Sequence, residues 1–388
     1  MKIGKSMKAF VAFLLALAVF VPHSVCGLPY DSSENAPFEV DARSAVLMDA
    51  ETGQILYAKN ADEALPPASV TKVMTLLLVM EAIDSGRLAL TDMISVSEYA
   101  ASMGGSQVYL EPGEQMSVED LLKSVVVSSA NDAAVALAET IAGSEEAFVK
   151  RMNERAVELG MEHTNFENVS GLDDDTVNHL ISAEDIAIMS RELLTHETIL
   201  NYSTIWMDTI RNGAFGLSNT NRLIRFYSGA TGLKTGSTSK AKFCISATAK
   251  RDGLHLIAVI MGAPTRDVRN EMAKKLLDWG FANFAMYKNE AAGAGEIRVL
   301  GGIRDRCSLR YDSFSMLMQK GQEKNVTVEV QIPEEIAAPI AEGDAVGKIV
   351  YRVGDEIIGE GEIIAAESVS KISFWGLFVK MSRLMLIK

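Results

Sequence analysis

Ser69 and Lys72 stand three residues apart in PPASVTKVM, residues 66–74, inside an otherwise apolar stretch. A serine hydroxyl becomes a useful nucleophile when a neighbouring base takes its proton, and a lysine whose pKa is lowered by desolvation is such a base. Residues three apart share a helical face. Leu76, Leu77, Leu78, Val79, Met80 and Ile83 continue the apolar run, so the segment reads as a helix entering a core. Pro66 and Pro67 mark its start, where the first helical amides need no partner. A buried lysine is costly unless something uses or satisfies it. On this stretch alone, a Lys72 that extends its ammonium into solvent is an equal reading.

Two further pieces bear on the choice. Ser129 and Asn131, in SSAND, lie at a break between two apolar helical segments. There they read either as functional side chains or as an N-cap for the following helix. Lys234, Thr235 and Gly236, in GLKTGSTSKAKFC, open a strand in which glycine permits close approach of a ligand backbone. Each piece alone is weak. Together, Ser-x-x-Lys, Ser-x-Asn and Lys-Thr-Gly occur in the order used by active-site-serine enzymes that act on penicillin or cell-wall peptide. In that chemistry Lys72 takes the Ser69 proton, Ser129 relays a proton toward the leaving amine, and Asn131 fixes the substrate amide. Lys234 and Thr235 offer a positive charge and a hydroxyl to a carboxylate. The backbone amides of Ser69 and of a residue after Lys-Thr-Gly, here Ser237, would form an oxyanion hole.

The chain resembles the low-molecular-mass penicillin-binding proteins, the serine-type D-alanyl-D-alanine carboxypeptidases, and within them the subgroup that includes sporulation-associated members of Gram-positive bacteria. PPASVTKVMT, SSANDAAVALAE, LGMEHTNFENVSGLDD, GLKTGSTSKAKFCISATAKRDG and WGF carry the resemblance along nearly the whole chain. It implies catalytic roles for Ser69, Lys72 and Ser129, and substrate contacts for Asn131, Lys234, Thr235, Gly236 and Ser237. It also implies an arginine that helps bind the terminal carboxylate, and the spacing from IMGAP favours Arg269 over Arg266. The substrate implied is a peptidoglycan stem peptide ending in D-Ala-D-Ala, with β-lactams as inhibitors and no cofactor or metal. The chain departs from the family at Ser237, where histidine, tyrosine or phenylalanine is common, and at Lys240, Ala241 and Lys242 in place of Glu-Ala-Gly. Ser170 stands where histidine is frequent. These positions border the cleft, so they bear on substrate preference and rate.

Two rivals share parts of this pattern. A serine β-lactamase of class A needs a glutamate to activate the deacylating water, and no ExxLN pattern occurs between residues 150 and 190. An exported binding or sensor protein that kept the fold without turnover would be expected to have lost a core group, and none is missing.

The elements that must position these groups follow from periodicity. SAVLMDAETGQILYAKN reads as a hairpin turning at AETG, and amphipathic helices fill the middle of the chain, one of them capped by Ser182 with Asp185 three residues on. AKFCISATAK and LHLIAVIMG read as strands joined at RDG, and RNEMAKKLLDWGFANFAMY as a closing helix. The fold class expected is α/β (α+β), a β-lactamase/transpeptidase-like domain with helices packed on an antiparallel sheet that the first hairpin completes. A small all-β domain follows. The boundaries expected are a signal peptide at 1–26, a leader at 27–36, the catalytic domain at 37–288, a linker at 289–296, a β-rich domain at 297–370 and an amphipathic membrane-associating segment at 371–388.

Charge and composition narrow the class further. Lys2, Lys5 and Lys8 precede the 13 apolar residues AFVAFLLALAVFV, and Ser24 and Cys26 suit a cut before Gly27: a secretory signal, too short to span a bilayer. Losing those three lysines takes the formal charge from −14 to −17, which leaves no electrostatic case for nucleic acid. Cys244 and Cys307 are too few for a disulfide scaffold, and the five histidines show no ligand spacing, so zinc is not expected. The tail KISFWGLFVKMSRLMLIK is short, apolar on one helical face and basic, which suits a helix lying on the outer face of the cytoplasmic membrane of an exported protein. A helix packed on the β module is the other reading of it.

Overall fold

The computed structural model describes residues 38–172 and 176–386. The expected signal peptide and leader lie outside the described residues. The first hairpin joins β1 (Ser44–Asp49) to β2 (Ile55–Lys59). Three long strands follow the helical middle of the chain: β3 (Ala230–Thr238), β4 (Lys242–Arg251) and β5 (Leu254–Ala263). The sheet order is β2-β1-β5-β4-β3, with β1 antiparallel to β5 in the register Leu47 to Ala258. The opening hairpin therefore completes the closing sheet. The tight β4–β5 turn needs positive φ at both central positions. Asp252 (φ 49) and Gly253 (φ 83) provide it, within the RDG that signals the turn.

One face of this sheet carries the helical layer. Helix α1 (Lys72–Asp84) has ten of its thirteen residues buried, so it is packed on all sides instead of along one stripe. Around it lie α2 (Val118–Ser128), α3 (Asn131–Ala142), α4 (Glu145–Glu158) and α5 (Ala183–Thr195). Side-chain caps fix their starts. Ser117 accepts from the Asp120 amide, Ser144 from Ala147 and Ser182 from Asp185, each satisfying an amide that the helix cannot. The opposite face is covered by α6 (Arg266–Asn283), whose Met272, Ala273, Leu276 and Leu277 pack on Leu47, Ile245, Ala258 and Ile260.

The closing helix is shorter than its sequence suggests. It ends at Asn283, and Phe284–Asn289 is a strand, β6, paired with Phe314–Gln319. Helical spacing and strand alternation overlap in FANFAMY, and the ladder decides. Met286 and Leu317 join the core under α6, whereas Tyr287 packs on the core of the C-terminal module.

The expected linker at 289–296 is also corrected. Ala292–Leu300 is a strand, β7, antiparallel to β8 (Arg306–Tyr311), with an irregularity at Gly293/Gly295 that absorbs the small residues. Glycines that read as flexible spacer are held by backbone hydrogen bonds. With β9 (Phe314–Gln319), β10 (Val326–Gln331), β11 (Glu335–Ala337), β12 (Ala345–Val353) and β13 (Glu356–Ala365), these strands build the all-β module. Its main sheet runs β10-β12-β13-β8-β7-β11. The chain then forms helix α7 (Phe374–Leu386), with Phe374, Trp375 and Phe378 more than half exposed. Among the described residues no helix is long and apolar enough to cross a membrane.

Candidate active site

A single helical turn at Ala68–Thr71 delivers Ser69 to the start of α1, and Lys72 follows as the first α-helical residue. Lys72 is fully buried. Its Nζ lies 3.0 Å from Ser69 Oγ, 2.6 Å from Asn131 Oδ1 and 2.8 Å from the Ser170 carbonyl oxygen. A neutral amine has two N–H donors and one lone pair. Donation to Asn131 and Ser170 uses both donors and aims the lone pair at the Ser69 hydroxyl. Burial holds the Lys72 pKa well below its usual 10.5; the charge on Lys234 adds to this and the Asp132 carboxylate opposes it. The reading of Lys72 as solvent-extended is excluded.

Ser129 sits between α2 and α3 in the left-handed region, φ 63, which ends one helix and turns its hydroxyl toward the sheet. Lys234 Nζ donates to Ser129 Oγ at 2.8 Å and to its neighbour's carbonyl, Thr235 O, at 3.0 Å. Burial first, then the nearby Arg269 charge, pushes the Lys234 pKa down to about 7. Thr235 Oγ1 donates to Thr220 Oγ1 at 2.8 Å. Asn131 is anchored at both ends, its amide donating to Ser106 O and its Nδ2 to Gly104 O, both at 2.7 Å.

Two glycines show how closely the parts approach. A Cβ on Gly236 would sit 2.9 Å from the Ser69 amide nitrogen and 2.8 Å from Pro67 O, so only glycine lets β3 pass Ser69. A Cβ on Gly171 would sit 1.8 Å from Ala68 O, and Gly171 has φ 81. That segment crosses directly over the Ser69 turn, which is how the Ser170 carbonyl reaches Lys72. Ser237, next along β3, is exposed at the cleft.

Arg269 stands apart from the others. It is buried in the first turn of α6 and approaches the sheet from the opposite face. Its guanidinium donates to Asn270 Oδ1 at 3.1 and 2.9 Å and to Cys244 O at 3.4 Å, and Cys244 is the register partner of Gly236. Burial, then the neighbouring Arg266 charge, lowers its pKa to about 10.

Three contributors were not visible as motif residues. The Ser170 contact is made by a backbone carbonyl, which no side-chain pattern announces. Thr220 meets Thr235 only through tertiary packing. Asp132, fully buried, accepts from the amides of Val108 and Leu110 and so pins the loop that holds Asn131. Its position inside SSAND was the available signal.

Residues 31–265 match the D-alanyl-D-alanine carboxypeptidase family, and residues 281–371 match the family described as penicillin-binding protein 5, C-terminal domain. The chain is similar to the D-alanyl-D-alanine carboxypeptidase DacF of Bacillus subtilis (strain 168), with 41% identity over 95% of this chain and 96% of that one. Its structure resembles penicillin-binding protein 5 of Haemophilus influenzae, with 33% identity and a TM-score of 0.72 over 87% of this chain and 100% of that one. It also resembles penicillin-binding protein D2 of Listeria monocytogenes, solved in an ampicillin-bound form, with 34% identity and a TM-score of 0.56 over 63% of this chain and 100% of that one.

Proposed function

The chain belongs to the D-alanyl-D-alanine carboxypeptidase family, and we propose that Ser69 carries the acyl group while the terminal D-alanine is released from a peptidoglycan stem peptide. The chain is a serine-type carboxypeptidase and a penicillin-binding protein. The single observation that supports the residue assignment is the buried Lys72 amine, 3.0 Å from Ser69 Oγ with both other contacts to acceptors.

Lys72 removes the Ser69 proton as Oγ attacks the carbonyl of the penultimate D-alanine. The developing oxyanion is met by the Ser69 and Ser237 amides; removing one such donor typically costs about 10²–10³ in rate. The C–N bond then breaks as the proton that Lys72 took is relayed through Ser129, held by Lys234, to the departing amine, which leaves Lys72 neutral again. Water hydrolyses the Ser69 ester, with Lys72 again the base. Asn131 orients the peptide amide. Lys234, Thr235 and Arg269 attract the free C-terminal carboxylate, which makes the action exopeptidic. A β-lactam enters the same steps, its strained amide standing for the scissile bond, and leaves Ser69 acylated.

Intact-mass analysis after benzylpenicillin treatment tests this. One adduct on Ser69 is expected, with Ser69→Ala losing both the adduct and D-alanine release. An adduct on another residue would refute the assignment.

We infer further that residues 37–288 act while 297–370 hold the cleft away from a membrane surface. The exported chain would rest on the outer face of the cytoplasmic membrane through 371–388. The exposed Phe374, Trp375 and Phe378 on α7 support that reading.

A further inference from the structure

The strand that carries Lys234, Thr235 and Gly236 ends in a hairpin, and the hairpin sets two lysines at the mouth of the cleft. β3 and β4 are joined by three residues, Ser239, Lys240 and Ala241. In the ladder Lys234 opposes Ser246, Gly236 opposes Cys244 and Thr238 opposes Lys242. Opposed residues of an antiparallel pair project to one face, and alternate residues along each strand share it. Three members identify that face. Lys234 donates to Ser129, Gly236 abuts the Ser69 amide, and Ser246 Oγ lies 2.7 Å from Ser190 Oγ on α5. Lys242, the ladder partner of Thr238, ends this series, roughly 7 Å along the strand from Gly236 at about 3.4 Å per residue.

The hairpin is held in place. Ala241 is buried, and the Cys244 thiol contacts both Ala241 O at 3.4 Å and Pro66 O at 4.0 Å, which ties the loop to the segment leading into Ser69. Three-residue hairpin loops close through a left-handed residue, a position at which glycine is least strained. Here the left-handed residue is Lys242, φ 59, the ladder residue directly after the loop. A lysine is kept where the backbone favours glycine. Lys240 and Lys242 are both exposed, and they form a positive rim in a chain of net charge −14.

The proposed catalytic assignments give this rim a direction. The terminal carboxylate lies at Lys234 and Thr235, and the scissile carbonyl at the Ser237 amide. The acyl portion of the peptide then continues past Ser237 toward the hairpin. We propose that Lys240 and Lys242 recognise a carboxylate within the stem peptide, on the N-terminal side of the scissile D-Ala–D-Ala bond. The inference rests on the carboxypeptidase reading of the same cleft. Two carboxylates have this chemistry: that on the side chain of a dicarboxylic diamino acid adjoining D-Ala-D-Ala, and the α-carboxylate of the γ-linked glutamate before it.

The test uses the full chain and three pentapeptides: one with both carboxylates free, one amidated on the diamino acid, and one amidated on the glutamate. D-alanine release gives kcat/KM for each. One amidation is expected to lower kcat/KM by about five-fold, the size of a partly screened charge contact, and it identifies which carboxylate is read. The double variant Lys240→Gln/Lys242→Gln is expected to bring that ratio to near one, while Lys240→Arg/Lys242→Arg keeps it. Equal turnover of all three peptides by the parent protein overturns the proposal and leaves the carboxypeptidase reading standing. A ratio that survives in the glutamine variant, or an equal loss on all three peptides, also overturns it. No D-alanine from any peptide would remove the carboxypeptidase reading, and this inference with it.

Discussion

Ser170 reaches Lys72 through its backbone carbonyl, which accepts from Nζ at 2.8 Å, while its hydroxyl accepts from the Leu172 amide at 3.4 Å. The side chain at 170 is therefore separable from the contact that serves the base. Ser170→Ala is expected to keep the penicillin acylation rate within about ten-fold of the parent, since one long hydroxyl contact is lost. Gly171→Ala is expected to lower it by about 10²-fold or more, because its Cβ would collide with Ala68 O and displace the carbonyl from Lys72. Stopped-flow acylation of both variants checks this, and a near-parent rate for Gly171→Ala would show that the carbonyl is dispensable.

Lys72→Arg separates base from charge. Arginine keeps the cation but does not give up its proton at working pH. Acylation is expected to slow by the roughly 10²–10⁴-fold typical of general base catalysis. Acylation at the parent rate would make Lys72 an electrostatic group only.

How much of this was legible depends on what kind of atom makes each contact. Ser69, Lys72, Ser129, Asn131, Lys234 and Thr235 are side chains at fixed spacing, so the sequence displays them directly. Ser170 O and Thr220 enter through tertiary crossing, which spacing does not encode. The sheet was readable because AETG and RDG end strands with strong alternation. Phe284–Tyr287 reads as helix because its apolar residues satisfy both periods, and only pairing with Phe314–Gln319 decides between them. The first part of the strand Ala292–Leu300, up to Glu296, reads as linker because glycine and alanine signal flexibility unless a partner strand takes up their backbone groups.

The two depressed lysine pKa values predict a bell-shaped kcat/KM for peptide. As the proposed base, Lys72 works only when neutral, so the rate is expected to rise as pH climbs through its lowered pKa. In its proposed role Lys234 attracts carboxylate only when charged, so binding is expected to fall as pH climbs through about 7. A bound carboxylate favours the ammonium, so the alkaline limb of kcat is expected at higher pH than that of kcat/KM. Lys234→Arg is expected to remove the alkaline limb. Coincident alkaline limbs for kcat and kcat/KM in the parent protein would count against Lys234 as the carboxylate cation.

The carboxylate itself can be removed from the substrate. Amidating the C-terminal D-alanine is expected to lower kcat/KM by at least about 10-fold, the loss of one charge-assisted hydrogen bond. Arg269→Ala is expected to narrow the difference between acid and amide, because its guanidinium lies against Cys244 O of the neighbouring strand and its charge reaches Lys234. Equal turnover of acid and amide by the parent would point to endopeptidase action and remove the clamp.

The tail offers a test that leaves the cleft untouched. Helix α7 follows the β module directly, and Phe374, Trp375, Leu377, Phe378, Val379 and Met381 are each 46% exposed or more. Such an apolar surface is costly in water unless something covers it. Among the described side chains of the helix, these six are left uncovered by the module. The basic residues of the segment favour an anionic lipid surface at about 1 kcal/mol each near the headgroups. Removal of residues 371–388 is therefore expected to shift the protein from the membrane fraction to the soluble fraction, while penicillin acylation in detergent stays at the parent rate. High salt is expected to release the full chain only in part, since apolar burial persists when charge is screened. A truncated protein that sediments with membranes as fully as the parent would place the attachment elsewhere in the chain.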